Sequence, residues 1–202
     1  MIALLLAVCL CAGIFAGCSS QNPGSGTTTP KVENQPETQI TVPVAETAAA
    51  PKYVFLFIGD GMGMSQVAAA ESFISYKADK LGGEQVLFTT FPVHGSAFSH
   101  SADKRVTDSS AAGTAIATGV KTNNKMLGVD PEGNNLKSMS YDLQERGYNI
   151  GVLSSVPINH ATPASFYARK ASRYSYYDIT AEIPGSGFEY LAGSGMIQYF
   201  GE

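Results

Sequence analysis

Six successive apolar, β-prone residues, Tyr53-Val54-Phe55-Leu56-Phe57-Ile58, run without transition into Gly59-Asp60-Gly61-Met62-Gly63. A continuous apolar run of strand length, ended by a glycine-rich turn, reads as a strand buried on both faces. Such strands belong to parallel sheets, so the run predicts an α/β fold with helices covering a largely parallel central sheet. The chain beyond it alternates accordingly. A helix is expected over 65–76, with Val67, Ala70 and Ile74 on one face, then a strand over 93–99. The Ala- and Thr-rich stretch 108–118 predicts a helix. Leu136, Met139 and Leu143 fall at helical spacing, and Gly147 after Arg146 marks that helix's end. A strand over 148–155 and a helix over 162–172, with Pro163 in its first turn, complete the pattern. No internal repeat is present.

Composition narrows the class. With 44% hydrophobic and only 15% charged residues, the chain can build a core and is not disordered. The net charge of −4, without a basic field, argues against a nucleic-acid partner. Twenty-one glycines suit tight turns and close backbone approaches to a ligand.

The N-terminus reads as an address. Residues 1–30 carry no charged side chain, and the apolar run from Ile2 to Phe15 ends in Ala16-Gly17-Cys18. That run is shorter than the ~18–20 residues of a transmembrane helix and fits a signal-peptide core. The Ala-Gly-Cys junction resembles a bacterial lipoprotein signal, which would acylate Cys18. The expected organisation is a signal peptide over 1–18, a flexible Ser/Thr/Pro/Gln-rich tether over 19–50 and a folded domain over 51–202. An exported protein anchored in a bacterial membrane follows; ordinary secretion and a short buried helix are the alternatives. Cys9, Cys11 and Cys18 all lie in this leader, so no disulfide is expected in the folded part.

Four stretches carry chemistry, and several fall at or just after strand ends, where α/β sheets collect ligands. Asp60, directly after a strand and flanked by glycines, is either a metal ligand or the Asp of a common Asp-Gly turn. Asp108-Ser109 opens a helix, where unpaired N–H groups favour an anion; the plainer reading is an N-cap on a packed helix. The small residues Ala111, Ala112 and Gly113 would let that helix approach the sheet. His160 and Thr162 flank one residue and would point the same way from an extended segment, completing a metal site or merely capping a helix. Arg173 could grip a phosphate with its planar fork or lie on a solvated face. His94 and His100 read as structural or surface residues.

Taken together, these stretches resemble the alkaline phosphatase family from about residue 52 to the C-terminus. The most specific match is Val106-Thr-Asp-Ser-Ser-Ala-Ala-Gly-Thr-Ala-Ile-Ala-Thr-Gly-Val-Lys-Thr122, which is similar to the family's nucleophile segment. The resemblance implies that Ser109 is the residue phosphorylated, with Ser110 a bystander. It implies that Asp60 bridges a Mg²⁺ site and one of two Zn²⁺ ions, that His160 and Thr162 are further Mg²⁺ ligands, and that Arg173, eleven positions after Thr162, grips phosphate. The implied reaction is hydrolysis of phosphate monoesters through a phosphoserine, and the family allows a homodimer. The family's remaining ligands, several His and Asp and a Glu, have no counterpart here, so the chain resembles the N-terminal portion of a full enzyme, inactive by itself. A phosphodiesterase of the same superfamily and a non-catalytic surface lipoprotein that binds phosphate or metal are the alternatives; a sulfatase is disfavoured because neither Cys-x-Pro-x-Arg nor Ser-x-Pro-x-Arg occurs.

The leader makes the first prediction. Two acyl chains anchor stably where one binds marginally, so Cys18→Ser should release soluble protein or leave unprocessed precursor. Unchanged cleavage and membrane fractionation would count against acylation at Cys18.

Overall fold

The computed structural model describes residues 49–198 and 200. The leader 1–18, with Cys9, Cys11 and Cys18, and all of the expected tether but Ala49 and Ala50 lie outside the described residues. The chain divides after Val54, and the described helices and strands belong to the unit from Phe55 onward. They are α1 (Met64–Lys77), a 3-10 turn (Leu87–Thr90), α2 (Ser109–Thr118), α3 (Met139–Glu145), β1 (Gly151–Leu153), α4 (Ala161–Ala164), α5 (Tyr176–Ala181), α6 (Ile183–Ser186) and β2 (Tyr190–Ala192). None of the described helices is long and apolar enough to cross a membrane.

The fold is α/β. β1 and β2 pair in parallel, Gly151 opposite Tyr190 and Leu153 opposite Ala192. Single backbone bonds continue the pairing past the strands: Ser154 N–H to Ala192 O at 2.9 Å, Ser194 N–H to Val156 O at 3.1 Å and Ile158 N–H to Gly195 O at 2.9 Å. The core forms beside this ladder from Leu127, Ala161, Ala164, Tyr167, Ala168 and Ile179, with Ile183, Phe188 and Leu191 packed against it. Tyr167 is buried inside it with its hydroxyl donating to Ile158 O at 2.9 Å, and burial pushes its phenol up from its ordinary value.

Local sequence explains the element ends. At the start of α1, Gln66 Oε1 accepts the Gly63 N–H at 3.0 Å and satisfies one terminal donor. α2 is capped by the Asp108 carboxylate, which accepts the Ala111 N–H at 3.0 Å, and stops at Gly119 in the left-handed conformation. After α3, Gly147 donates to Gln144 O at 2.9 Å and Tyr148 to Leu143 O at 3.1 Å, a Schellman ending that its φ of 86° requires.

Several expectations need correction. The run 53–58 forms no ladder, and Phe57 is 89% exposed. A parallel strand exists only through its neighbours, and no described strand pairs with this one. Its backbone is nonetheless extended enough for Phe55 and Phe57, two positions apart, to stack on one side with ring centres 6.5 Å apart. The strand expected over 93–99 is absent for the same reason, leaving Val93 and Phe98 exposed. The strand over 148–155 shortens to β1. The helix expected over 162–172 ends at Ala164 because the following residues are drawn into pairing instead: Lys170 and Leu127 exchange backbone bonds at 2.7 and 2.9 Å. Leu136 falls outside α3.

The small face of α2 packs on α4 rather than on the sheet. A Cβ at Gly113 would stand 2.4 Å from Ser165 Oγ and 3.7 Å from the Thr162 Cα. Magnitudes separate two substitutions here. Gly113→Ala gains about 1 kcal/mol of helix propensity, which only partly offsets the crowding of the buried Ser165 Oγ and Cβ and of its bond to Ala161 O, so it should destabilise by about 1 kcal/mol. Gly113→Val adds two methyls to a full space and should destabilise by about 2–3 kcal/mol. Urea unfolding of the two variants checks this, and equal stabilities would refute the close-packing account.

Candidate active site

The extended run delivers Asp60 to a glycine turn, where Met62 N–H bonds back to Gly59 O at 3.1 Å and Gly61 takes a φ of 70°. The carboxylate then meets two hydroxyls from distant elements. Ser109 Oγ, on the first residue of α2, donates to Asp60 Oδ1 at 3.2 Å. Thr162 Oγ1, in α4, donates to Asp60 Oδ2 at 2.7 Å. These three residues line a cleft of about 530 Å³ together with Asp108, Gly113 and Arg173.

Asp108 organises the other wall. Its carboxylate accepts the Ala111 N–H, the Ser110 hydroxyl at 2.9 Å, the Lys125 N–H at 3.0 Å and Arg173 Nη1 at 3.2 Å. Burial pushes this carboxyl up, but those donors and the guanidinium together outweigh it and hold the group below its ordinary value. Ser110, a bystander by motif, is buried and serves to hold Asp108. Lys125 takes the left-handed φ of 75°, which aims its N–H at Asp108 while its carbonyl accepts the Arg173 N–H at 2.7 Å. Asn124 braces the entry to α2, accepting the Asp108 N–H at 3.1 Å and donating to Val106 O at 3.0 Å.

Arg173 is thus two-sided. One of its nitrogens is committed to Asp108, its side chain is only 12% exposed, and its other guanidinium N–H groups make no bond among the described residues. His160 stands nearby as the residue preceding α4. Burial and the Arg173 cation push its imidazole below its ordinary value, with Asp60 opposing. It is therefore neutral at pH 7, the form that binds metal. Its Nδ1 is buried without a hydrogen-bond partner among the described residues.

That orphaned nitrogen tests the metal reading. A buried polar atom without a partner is costly unless something is bound to it. The oxygens of Asp60 and Thr162 suit Mg²⁺, while the His160 imidazole is a softer donor that also admits Zn²⁺ or Co²⁺. A zinc pair does not fit, because no three His, Cys, Asp or Glu side chains cluster among the described residues and zinc takes three or four protein ligands.

Of the six site residues expected from sequence, Asp60, Ser109, Thr162 and Arg173 line one cleft, His160 lies near enough for Asp60 and Arg173 to act on its imidazole, and Cys18 lies outside the described residues. His94 and His100 are exposed, and His100 Nδ1 lies 2.9 Å from Ser101 O. The residues missed are Asp108 as a hub and Asn124 and Lys125 as its supports. Asp108 was legible only as a cap, and no sequence signal announces a bond to Arg173 across 65 positions.

Comparison with known proteins now decides the family. The alkaline phosphatase family model matches residues 51–198. The chain belongs to the alkaline phosphatase family. It is 34% identical to alkaline phosphatase 4 of Bacillus subtilis over 81% of its length, and 31% identical to alkaline phosphatase 4 of Drosophila melanogaster. It covers 32% and 28% of those relatives, so it spans about a third of their length. Among solved structures, the cold-active alkaline phosphatase of Shewanella sp. superposes with a TM-score of 0.66 at 35% identity, over 72% of this chain and 36% of that one. The alkaline phosphatase of the Antarctic bacterium TAB5 gives 0.56 at 31% identity, over 65% of this chain and 38% of that one. A histidine-to-aspartate mutant of the TAB5 enzyme is described with Mg bound in its M3 site.

The depressed Asp108 carboxyl predicts an acid dependence. A group whose pKa is lowered by folding contributes stability above its unfolded value of about 4, and that stability is lost as pH falls through the lower folded value. Asp108→Asn keeps the cap acceptor and loses the charge. It should cost about 1–2 kcal/mol at pH 7 and flatten the fall in stability below pH 4. Parallel stability–pH curves for the two proteins, measured by denaturant melts, would show that Asp108 is not held this way.

Proposed function

We propose that this chain carries the nucleophilic half of a phosphate monoester hydrolase that works through a phosphoserine at Ser109. The observation that supports the reading best is the placement of the Ser109 and Thr162 hydroxyls on one carboxylate, Asp60, in a cleft that Arg173 also lines.

The chain's own residues perform the following parts. The phosphoryl group enters the cleft against the start of α2, where Asp108 already holds the Ala111 N–H and the Ser109 and Ser110 N–H groups, lacking helical acceptors, favour negative charge. Arg173, anchored through one nitrogen on Asp108, presents its remaining N–H groups to the equatorial phosphoryl oxygens. Its value lies in charge that is stronger on the transition state than on the bound ester. Ser109 Oγ attacks phosphorus in line; the new Ser109 O–P bond forms as the ester P–O bond breaks, and the leaving oxygen departs with that bond's electron pair and gains a proton in place of the one Ser109 gives up, leaving as the alcohol. Asp60 Oδ1 holds the Ser109 proton in the resting site. Water then attacks the phosphoserine phosphorus, the Ser109 O–P bond breaks, inorganic phosphate leaves, and Ser109 Oγ takes up a proton from the attacking water to return as hydroxyl.

The proposed metals are one Mg²⁺, for which Asp60, His160 and Thr162 would be ligands, and, in the whole enzyme only, two Zn²⁺ whose other ligands the described residues do not supply. When bound, such ions lower the pKa of an attacking hydroxyl and offset charge on the leaving oxygen. The described residues offer zinc the Asp60 carboxylate alone, so this chain's share of the chemistry is binding and nucleophile placement. The whole enzyme, on this reading, is an exported bacterial lipoprotein held to a membrane through Cys18, and a homodimer is part of the same proposal.

Two outcomes test it. Brief incubation of the full-length protein with labelled inorganic phosphate at acid pH, followed by denaturation, should trap label on Ser109, and Ser109→Ala should abolish it; label on Ser110 or Thr107 would refute the assignment. Purified residues 19–202 alone should show no zinc-dependent hydrolysis of an aryl phosphate. Turnover at ~1–10³ s⁻¹, the ordinary enzyme range, would overturn the ligand assignment.

A further inference from the structure

The loop that carries His160 and Thr162 is held from behind by a feature that no motif announces. Asn159 is fully buried. Its side-chain amide makes a two-way bond with one backbone residue: Nδ2 donates to Ile197 O at 2.6 Å and Oδ1 accepts the Ile197 N–H at 3.0 Å. The second Nδ2 hydrogen goes to Thr180 Oγ1 of α5 at 2.9 Å, with Tyr176 O a longer 3.3 Å away. The carboxamide has spent its best donors and its acceptor.

A side chain here does what a backbone peptide does in a ladder. The parallel pairing of β1 with β2 runs on through Ser154, Val156 and Ile158 against residues 192–195. The next member of the series is the Asn159 carboxamide on Ile197. Immediately beyond it the chain turns at His160 and enters α4 with Thr162.

A second observation points to the same segment independently. A Cβ at Gly193 would lie 2.7 Å from Ile158 N, 2.8 Å from Val156 O and 3.1 Å from the Ile158 Cα. These are backbone atoms that cannot swing aside. The segment from Gly193 to Ile197 therefore lies against the backbone of the site loop at one end and grips it through Asn159 at the other.

We infer that Asn159 is a positioning residue, which with the Gly193–Ile197 segment sets the place of His160 and Thr162 and thereby tunes the affinity of the site for a divalent cation. The inference rests on the metal reading of Asp60, His160 and Thr162. Asn159 itself touches neither substrate nor metal. Groups that orient ligands from outside typically change metal affinity by about 10–100-fold when removed.

The test uses the full-length protein stripped with chelator and titrated calorimetrically with Mg²⁺, with melting followed in parallel. Asn159→Asp keeps the size but cannot donate to Ile197 O or Thr180 Oγ1; it should raise the Mg²⁺ Kd by about 10–100-fold. Thr180→Val removes one of the carboxamide's acceptors, together with the Thr180 hydroxyl's bond to Tyr176 O within α5, and guards against a variant that fails to fold; its Kd should rise by a smaller factor, about 3–10-fold. Ile179→Val, a core change outside the clamp, should lower melting while leaving the Kd within twofold, which separates positioning from general loss of stability. If folded Asn159→Asp and Thr180→Val both bind Mg²⁺ within twofold of the parent, the inference is overturned. If the parent shows no Mg²⁺ binding that Asp60→Ala removes, the metal reading fails and the inference falls with it.

Discussion

One exposed carboxylate ties the site together. Asp60 sits on a glycine turn, yet its two oxygens reach hydroxyls 49 and 102 positions further along the chain. Each bond is weak by itself, about 1 kcal/mol of net stability, and neither could assemble the cleft. The geometry comes from below. α2 and α4 approach closely because Gly113 has no side chain where Ser165 and Thr162 lie, and this brings Ser109 and Thr162 to one carboxylate. A helix contact of small residues is thus what makes a bridging role for Asp60 sterically available.

Asp108 plays the complementary part. It caps α2, fixes the backbone at Lys125 and holds Arg173. The same group that starts the helix bearing Ser109 also fixes one guanidinium nitrogen of Arg173 at the cleft. The left-handed Lys125 costs backbone energy, of the order of 1–3 kcal/mol for such positions. That cost is met by two bonds that join both halves of this wall.

How far the sequence could be read follows from the range of the interactions. α1 and α2 were legible because their signals are local: apolar spacing, an Asp ahead of Ser109, a glycine after Thr118. Asp60, Ser109, His160, Thr162 and Arg173 were legible through motif resemblance, and the structure gathers them. The failures are all non-local. Whether 53–58 or 93–99 is a strand depends on partners that the runs themselves do not encode. The helix expected beyond Ala164 gave way to a backbone exchange between Lys170 and Leu127, which helix-favouring residues at 168–172 do not reveal. Asp108 and Asn159 were visible as polar residues beside motifs, but their roles depend on Arg173 and Ile197, which the fold alone brings near.

The exposed run at 53–58 has a consequence for how this polypeptide behaves in concentrated solution. It joins aromatic and β-branched residues, lacks charge and proline, and presents extended backbone with unfilled ladder positions. Those are the attributes of a segment that stacks in register with copies of itself into a dry, interdigitated cross-β spine. Soluble α/β proteins keep such runs covered on both faces or guarded by flanking charges. Here Lys52 guards one end, while the other opens directly onto Gly59 and the Asp60 carboxylate. Asp60, whose carboxylate both the Ser109 and Thr162 hydroxyls reach, therefore borders the segment most in need of cover, and shielding that run during synthesis protects the cleft as much as the fold.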